Sequence, residues 1–278
     1  MALVDDLPYR PFTERGHVVD GEFRWRLGAR PLDLERWFEF GTDGAAWIAE
    51  KSAIMRDHSD QAFAVLDGVE AECEEVAAAV AGHLGVELDP SLHPLDAAAR
   101  LVPDDLVVMI EREGRLVFGG GSVCFPNRWD LPSKLGLTMR EVHEPVTGLN
   151  DQLGPAVDDF LARLAPERSF WRLGWGLIDS YEGFEPPRCA ASKRPDADAP
   201  SGLALRVERE TLRRFPDTRC VMFGIRTYLT PLATAADDPS TAGGVASIVE
   251  AMPTGVRAYK DLDGLGDAVV AWLRERGG

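Results

Sequence analysis

The sequence predicts an α+β fold, with helices in the first third of the chain and an antiparallel sheet of about five strands after it. Three observations lead to this prediction. Apolar residues recur at helical spacing before residue 105, whereas β-branched and aromatic runs separated by turn residues begin at residue 106. Strands also do not alternate with helices as in a doubly wound fold, and no glycine-rich phosphate loop opens a helix.

Residues 1–105 are predicted to be mainly helical. Short helices are expected within residues 30–55, after a proline-led start. Residues 61–86 carry Val, Ala and Leu at positions that favour one long amphipathic helix, ending near Gly82 to Gly85. Residues 92–106 predict a loop and a short helix.

Residues 106–278 are predicted to contain the sheet. A hairpin is expected over residues 106–126, and Gly119–Gly121 in its second strand indicate a bulge or a close approach by a flat or bulky group. The polar, proline-rich stretch 185–202 is expected to be a long loop, either disordered or folded as a lid. The remaining predicted elements are strands at 170–179, 203–212 and 220–232, and helices at 154–165 and 265–276.

Composition restricts the classes of function. The 278 residues are treated as one domain with a substantial core. The net charge of −16 disfavours nucleic acid as a partner, because phosphate binding needs a basic surface. No apolar run approaches the length of a membrane span, and the acidic N-terminus is unlike a signal peptide, so a cytoplasmic protein is expected.

The four scattered cysteines form no CxxC pair, which disfavours a zinc or iron–sulfur site and a disulfide framework.

Charged residues lie within two of the predicted strands. Alternation places Arg206 and Glu208 on one face of their strand, and Arg226 and Tyr228 on one face of the next. One interpretation is an ordinary solvated face of an antiparallel sheet. The other is a concave pocket, in which Glu208 holds a cation and Arg226 donates hydrogen bonds to a developing negative charge.

His143 lies in the stretch EVHEPVTGLN, two residues before Pro145. It is either a plain turn residue or a ligand aimed from a rigid turn. One neutral imidazole is sufficient to hold a haem iron. The other four histidines have no partners at metal-ligand spacing, and no hydrolase motif is present.

Six stretches, taken together and in order, resemble the alpha subunit of haem-dependent oxidative N-demethylase. Judged by the order of these motifs, the resemblance extends from about residue 8 to residue 232. It implies a PAS-like fold around haem b, oxidation of a small amine by oxygen, and electrons supplied by reductase components that carry flavin and an iron–sulfur centre. The stretches are RPLDLERWFEF (30–40), LVPDDLVVM (101–109), VCFPNRWDLPSKLG (123–136), VHEPVTGLN (142–150), RVERETLRRFPDT (206–218) and FGIRTYLTPL (223–232).

The resemblance also implies roles for individual residues. His143 becomes the proximal haem ligand, Glu208 a substrate contact, and Arg226 a group that polarises bound oxygen. The further residues expected to bind the cofactor are Arg128, Arg206 and Tyr228.

The chain departs from the family pattern at Thr147, Leu149, Glu210 and residues 174–176, so a different nitrogen-bearing metabolite is an alternative substrate. Two other functions stay open. A non-catalytic haem sensor or carrier needs no counter-charge for an amine, and a haem-free binding protein needs His143 only as a turn residue.

Overall fold

The protein is described here from a computed structural model, which covers residues 7–187 and 199–277. Its strands are Val18–Val19 (β1), Glu22–Phe23 (β2), Arg30–Pro31 (β3), Phe63–Val65 (β4), Asp105–Arg112 (β5), Arg115–Ser122 (β6), Phe170–Ile178 (β7), Ala204–Arg214 (β8) and Val221–Pro231 (β9). Its α-helices are Gly44–Asp57 (α1), Ser59–Ala62 (α2), Glu70–Leu84 (α3), Pro94–Ala99 (α4), Met139–Val142 (α5), Leu149–Arg163 (α6), Leu232–Ala235 (α7), Pro239–Ala251 (α8), Thr254–Tyr259 (α9) and Gly266–Gly277 (α10).

Seven strands form one antiparallel sheet in the order β3-β7-β8-β9-β5-β6-β4, and β1 and β2 form a separate small ribbon. The predicted α+β class is confirmed, and all five predicted strands are present as β5 to β9. The sheet is larger than predicted because β3 and β4 extend its two edges. Both edge strands come from the first 105 residues, so the sheet draws on both parts of the chain.

Helices cover both faces of this sheet. On one face, α3 and α8 pack on apolar residues that include Val108 and Val207. On the other, α5 and α6 pack on Met109, Leu212 and their neighbours. We call these the α8 face and the α6 face. No helix in the described residues is both long and apolar enough to cross a bilayer.

The single helix predicted over residues 61–86 is wrong in its first part. Residues 63–65 form β4, which pairs with Gly120–Ser122 of β6. Gly68 then takes a left-handed conformation with φ of 76°, which ends the extended segment before α3 begins at Glu70. The predicted end of the helix is confirmed, since Gly85 caps α3 with φ of 68°.

The glycines at 119–121 approach the chain's own residues and not an external group. A Cβ on Gly119 would lie 2.6 Å from Ile110 Cγ2, and one on Gly120 would lie 2.6 Å from Val65 Cγ1. All three glycines are buried. The predicted bulge is confirmed as a register shift between Val108 and Met109. These glycines therefore allow three strands to pack closely, and they do not face a cofactor.

Other boundaries differ in detail. Helix α6 begins at Leu149, earlier than the predicted residue 154, and contains Pro155. The closing helix and the short helix before residue 106 are confirmed as α10 and α4. Most of the stretch 185–202 lies outside the described residues, which exclude 188–198 and with them Cys189. Its role as a lid stays a prediction.

Candidate functional site

His143 follows a one-turn helix whose position is fixed by local hydrogen bonds. Thr138 and Glu141 form a reciprocal capping box at the start of α5, with the Thr138 N–H donating to Glu141 Oε2 at 2.7 Å. The His143 N–H donates to the Met139 carbonyl at 3.0 Å. Downstream, Asn150 Nδ2 donates to the Arg140 carbonyl at 2.9 Å. The turn that carries the imidazole is thus held by hydrogen bonds both before and after His143.

The imidazole of His143 is half-buried and neutral. Burial lowers its pKa to about 4, and the charges of Arg172 and Lys134 act in the same direction. Within the described part of the chain, no side chain makes a hydrogen bond to this ring. A neutral imidazole with an unused lone pair is the form of histidine that binds metal ions.

The α6 face carries two glycines of β7. Gly174 and Gly176 lie on that face of β7 together with Arg172, because side chains alternate along a strand. A Cβ on Gly174 would lie 3.0 Å from Glu210 Oε1 and 3.3 Å from Glu208 Oε2. We call Gly174 and Gly176 the glycine strip. Both glycines are half-buried, and the Glu208 and Glu210 side chains fill the space over Gly174.

Two carboxylates on β8 border the glycine strip, and each has an arginine partner. Glu208 pairs with Arg206 Nε at 2.7 Å, and Glu210 pairs with Arg172 Nη1 at 3.1 Å. Burial raises the pKa of Glu210, and the charge of Glu208 raises it further against the opposing effect of Arg172. Glu210 therefore retains its proton more readily than a carboxyl group in water.

Arg206 acts on the site through Glu208. Its side chain is 3% exposed, and Nη2 donates to the Phe125 carbonyl at 2.7 Å and to Thr227 Oγ1 at 3.0 Å. Its donors are directed at the chain's own acceptors. Arg206 thus fixes the position of the Glu208 carboxylate.

Arg226 and Tyr228 lie on the α8 face, opposite His143 and Glu208. In the β8–β9 register, Arg226 is paired with Arg209 and Tyr228 with Val207, whereas Glu208 is paired with Thr227. The predicted pocket that combines Glu208 with Arg226 is therefore wrong, because the sheet separates the two side chains.

On the α8 face, Arg226 is fully buried in a structural cluster. Its Nη2 donates to Asp43 Oδ2 at 2.6 Å, and its guanidinium lies 4.5 Å from the Tyr228 ring centroid. The Tyr228 hydroxyl donates to Glu39 Oε2 at 3.2 Å, and burial raises its pKa. Arg226 and Tyr228 thus hold the segment before α1 against the sheet.

Arg128 is held by three carboxylates. It contacts Asp179, lies 3.1 Å from Asp261 Oδ2, and lies 3.6 Å from Glu185 Oε2. Its backbone φ is 59°, in the left-handed region. Arg128 therefore links three segments, and its predicted contact with a cofactor stays a prediction.

Residues 85–270 match the family described as haem-dependent oxidative N-demethylase, alpha subunit-like, over more than half of the 278-residue chain. The chain belongs to this family. The matched range contains His143, the glycine strip and both carboxylates. It excludes the 30–40 stretch, and with it Glu39 on the α8 face. The family description names haem dependence, oxidative N-demethylation and a subunit role.

The residues around His143 fit the haem that the family name implies. A single unpartnered, neutral imidazole meets the need for one axial ligand. Of the two glycines of the strip, Gly176 has only Lys260 Nζ near its Cβ position, at 3.9 Å, whereas the space over Gly174 is filled by the Glu210 and Glu208 carboxylates. No group of three or more His, Cys, Asp or Glu side chains in the described residues is arranged to hold a metal ion, so the candidate ligand is His143 alone.

Sequence reasoning missed two cationic residues of this site, Arg172 on β7 and Lys260 after α9. Lys260 Nζ lies 3.9 Å from where a Cβ on Gly176 would stand. Two signals were present in the sequence. A Gly-x-Gly pair within a strand places two bare positions on one face, and a Thr-x-x-Glu pair before a short helix predicts a capping box.

Proposed function

We propose that the chain oxidises a small amine or another nitrogen-bearing metabolite, with haem b held by His143 as its axial ligand. The observation that carries this proposal is a neutral imidazole without a side-chain hydrogen bond at the end of α5, which packs on the sheet face that also carries Glu208. When bound, the haem supplies oxygen binding and activation. The chain's own residues bind and orient the substrate.

Glu208 is the proposed substrate contact. Its carboxylate is 27% exposed and is oriented by Arg206, so it accepts a hydrogen bond from a protonated amine without rearranging. Glu210 lies beside it, and both burial and the charge of Glu208 raise the pKa of Glu210. The oxygen-polarising role predicted for Arg226 is not part of this proposal, because Arg226 lies on the α8 face.

Electrons have to come from outside the chain. We propose that reductase components carrying flavin and an iron–sulfur centre supply them, since the family is described as a subunit.

The first experiment tests the axial ligand. Protein produced with added haem should show a Soret band, and His143→Ala should lose or shift it. His83→Ala is the matched control, because His83 is on α3 at the α8 face beside Trp37. No band in the unaltered protein, or an unchanged band in His143→Ala, contradicts the proposal.

The second experiment tests turnover. With an artificial reductant and oxygen, candidate methylamines should release formaldehyde. Glu208→Gln keeps the shape of the side chain and removes its charge, so it should raise KM for a cationic amine by roughly tenfold or more. Haem binding without turnover of any amine favours the sensor or carrier alternative.

A further inference from the structure

Lys260 holds its ammonium group beside β7. Its backbone is fixed at the end of α9, where its N–H donates to the Val256 carbonyl at 3.0 Å. Nζ donates to the Trp175 carbonyl at 3.2 Å. Among the described residues, Nζ is also the only atom within 4 Å of the Cβ position of Gly176, at 3.9 Å, apart from the chain neighbours of that glycine. The ammonium thus lies at a position of the strand that has no side chain.

Every contact of this ammonium within the described residues is with an uncharged group. Besides the Trp175 carbonyl, Nζ lies 5.5 Å from the ring centroid of Trp25 and 5.8 Å from that of Trp175. In residues 7–187 and 199–277, no carboxylate forms an ion pair with it. One hydrogen bond uses one of the three donors of an ammonium, so this part of the chain supplies no acceptor to the other two.

These neutral contacts stabilise the ammonium less than water does. Both ring contacts are close to the limit of about 6 Å for a cation–π interaction, and a hydrogen bond to a neutral carbonyl is weaker than one to a carboxylate. Loss of hydration is the larger effect, because a cation taken out of water without an anion is strongly disfavoured. Desolvation accordingly lowers the pKa of Lys260 to about 8.

The charged groups around Lys260 do not remove this effect. Glu208 on β8 raises the pKa of Lys260, but less than desolvation lowers it. Asp261 is the next residue in the chain, and both carboxylates have arginine partners, at 2.7 Å for Glu208 and 3.1 Å for Asp261. The His17 ring lies edge-on to Trp175 at 6.4 Å and is neutral near pH 7, because burial lowers its pKa to about 4.

A small molecule can reach this amine from solvent. Lys260 is half-buried, as are Trp175 and Gly176, and the missing side chain at Gly176 leaves an approach to Nζ. A desolvated lysine is the form that attacks carbonyl compounds, because its neutral amine carries the reactive lone pair. A pKa of about 8 leaves about a tenth of the amine neutral at pH 7, roughly two orders of magnitude more than at the ordinary value of 10.5.

We propose that Lys260 is a nucleophilic amine that condenses with small aldehydes. Neutral Nζ forms a bond to the carbonyl carbon, and one of its protons moves to the carbonyl oxygen to give a carbinolamine. The nitrogen lone pair then forms the C=N bond, while the hydroxyl group leaves with the second N–H proton as water. This step needs no oxidant, reductant or bound haem, so the proposal goes beyond amine oxidation and the two can fail separately. Formaldehyde, the expected product of oxidising an N-methyl group, is the smallest such aldehyde.

Formaldehyde with cyanoborohydride tests this proposal in the full chain at pH 7. The hydride reduces each C=N bond to a stable methylamine, and mass spectrometry of peptides gives the rate at each of the four lysines. Lys134 is the matched control, because it is also half-buried but has no ring contact in the described residues. Lys51, which is 0% exposed, should not react in the folded protein.

Lys260 should react roughly tenfold faster than Lys134, because its larger neutral fraction is partly offset by the weaker nucleophilicity of a less basic amine. Equal rates at the two lysines overturn the proposal. In concentrated urea the two rates should become equal, since the fold no longer removes Lys260 from water. A preference for Lys260 that persists in urea arises from the local sequence and also overturns the proposal.

Gly176→Val tests the approach to the amine. Its methyl groups would occupy the space beside Nζ, so modification of Lys260 should slow while that of Lys134 in the same sample is unchanged. An unchanged rate at Lys260 would overturn the approach over Gly176 that the proposal requires.

Discussion

The carboxyl group of Asp104 makes the stability of this fold depend on pH. Asp104 is 0% exposed just before β5, and neither of its oxygens has a hydrogen-bond partner in the described residues. Burial raises its pKa from 3.8 to about 7, although Arg226, Arg209 and Lys51 oppose this shift. The native state therefore holds a proton that the unfolded chain releases between these two values.

The sign and size of the effect follow from that difference. Because the native state binds more protons between pH 3.8 and 7, the free energy of unfolding falls as the pH rises through this window. A pKa difference of about three units, at ~1.4 kcal/mol each, gives a loss of about 4 kcal/mol. This is a large fraction of a typical total stability of about 5–15 kcal/mol.

Asp104→Asn isolates this effect, because an amide of the same shape does not titrate. Its stability relative to the unaltered protein should increase by about 4 kcal/mol from pH 4 to pH 8. Urea unfolding at each unit of pH, followed by tryptophan fluorescence, gives the free energy of unfolding of both proteins. The contributions of other titrating groups are the same in both, so they cancel in the difference.

Asp89→Asn is the control, because the pKa of this exposed carboxylate is lowered by hydrogen bonds from Ser91. The stabilisation from Asp89 is complete above its ordinary pKa, so the difference should stay constant from pH 5 to pH 8. If the Asp104→Asn difference is equally constant, the Asp104 carboxyl is ionised throughout and the reasoning from burial is refuted.

Three further predictions concern buried pairs, close packing and the axial ligand. Arg226→Met leaves Asp43 as an uncompensated buried charge, so urea unfolding should show a loss of about 3–5 kcal/mol. Its Soret band should be unchanged in the folded protein, and an altered band would place Arg226 at the haem. Gly120→Ala sets a Cβ 2.6 Å from Val65 Cγ1 and should cost about 1–3 kcal/mol by the same method. A Cβ on Gly82 of α3 would meet no atom within 4 Å. Gly82→Ala should therefore raise the free energy of unfolding by about 0.5–1 kcal/mol. Haem affinity should be constant from pH 8 to pH 5 and fall only near pH 4, because the pKa of His143 is already lowered to about 4. A decline centred near the ordinary histidine pKa of about 6.5 in a Soret titration would contradict this.

The long strands could be predicted from the sequence and the short ones could not. Strands β5 and β6 were found as two apolar runs on either side of a turn glycine, and β8 and β9 by alternation over eleven residues each. Strand β3 has two residues and β4 has three, too few for a period to show. In residues 61–86, the helical pattern of α3 also concealed the turn at Gly68.

The site was predicted only in part, because the sequence does not give the register between neighbouring strands. Alternation within β8 and within β9 sorts each strand into two faces, but it does not say which face of one strand matches which face of the next. The pairing of Glu208 with Thr227 decides this, and it places Arg226 on the far side. His143 was found through a motif, whereas Arg172 and Lys260 are recognised only by what surrounds them in three dimensions.

The alternation of β8 also limits how this family can vary in length. Glu208 borders the glycine strip, while its neighbour Arg209 reaches through the opposite face to the backbone carbonyls of Arg36 and Trp37. Inserting or deleting one residue inside β8 would turn the following side chains to the opposite face of the sheet. Arg209 would then face the glycine strip, and Glu208 would face the apolar interior. We expect insertions and deletions among relatives to be confined to the turns that flank β8, so that the strand itself keeps a constant number of residues.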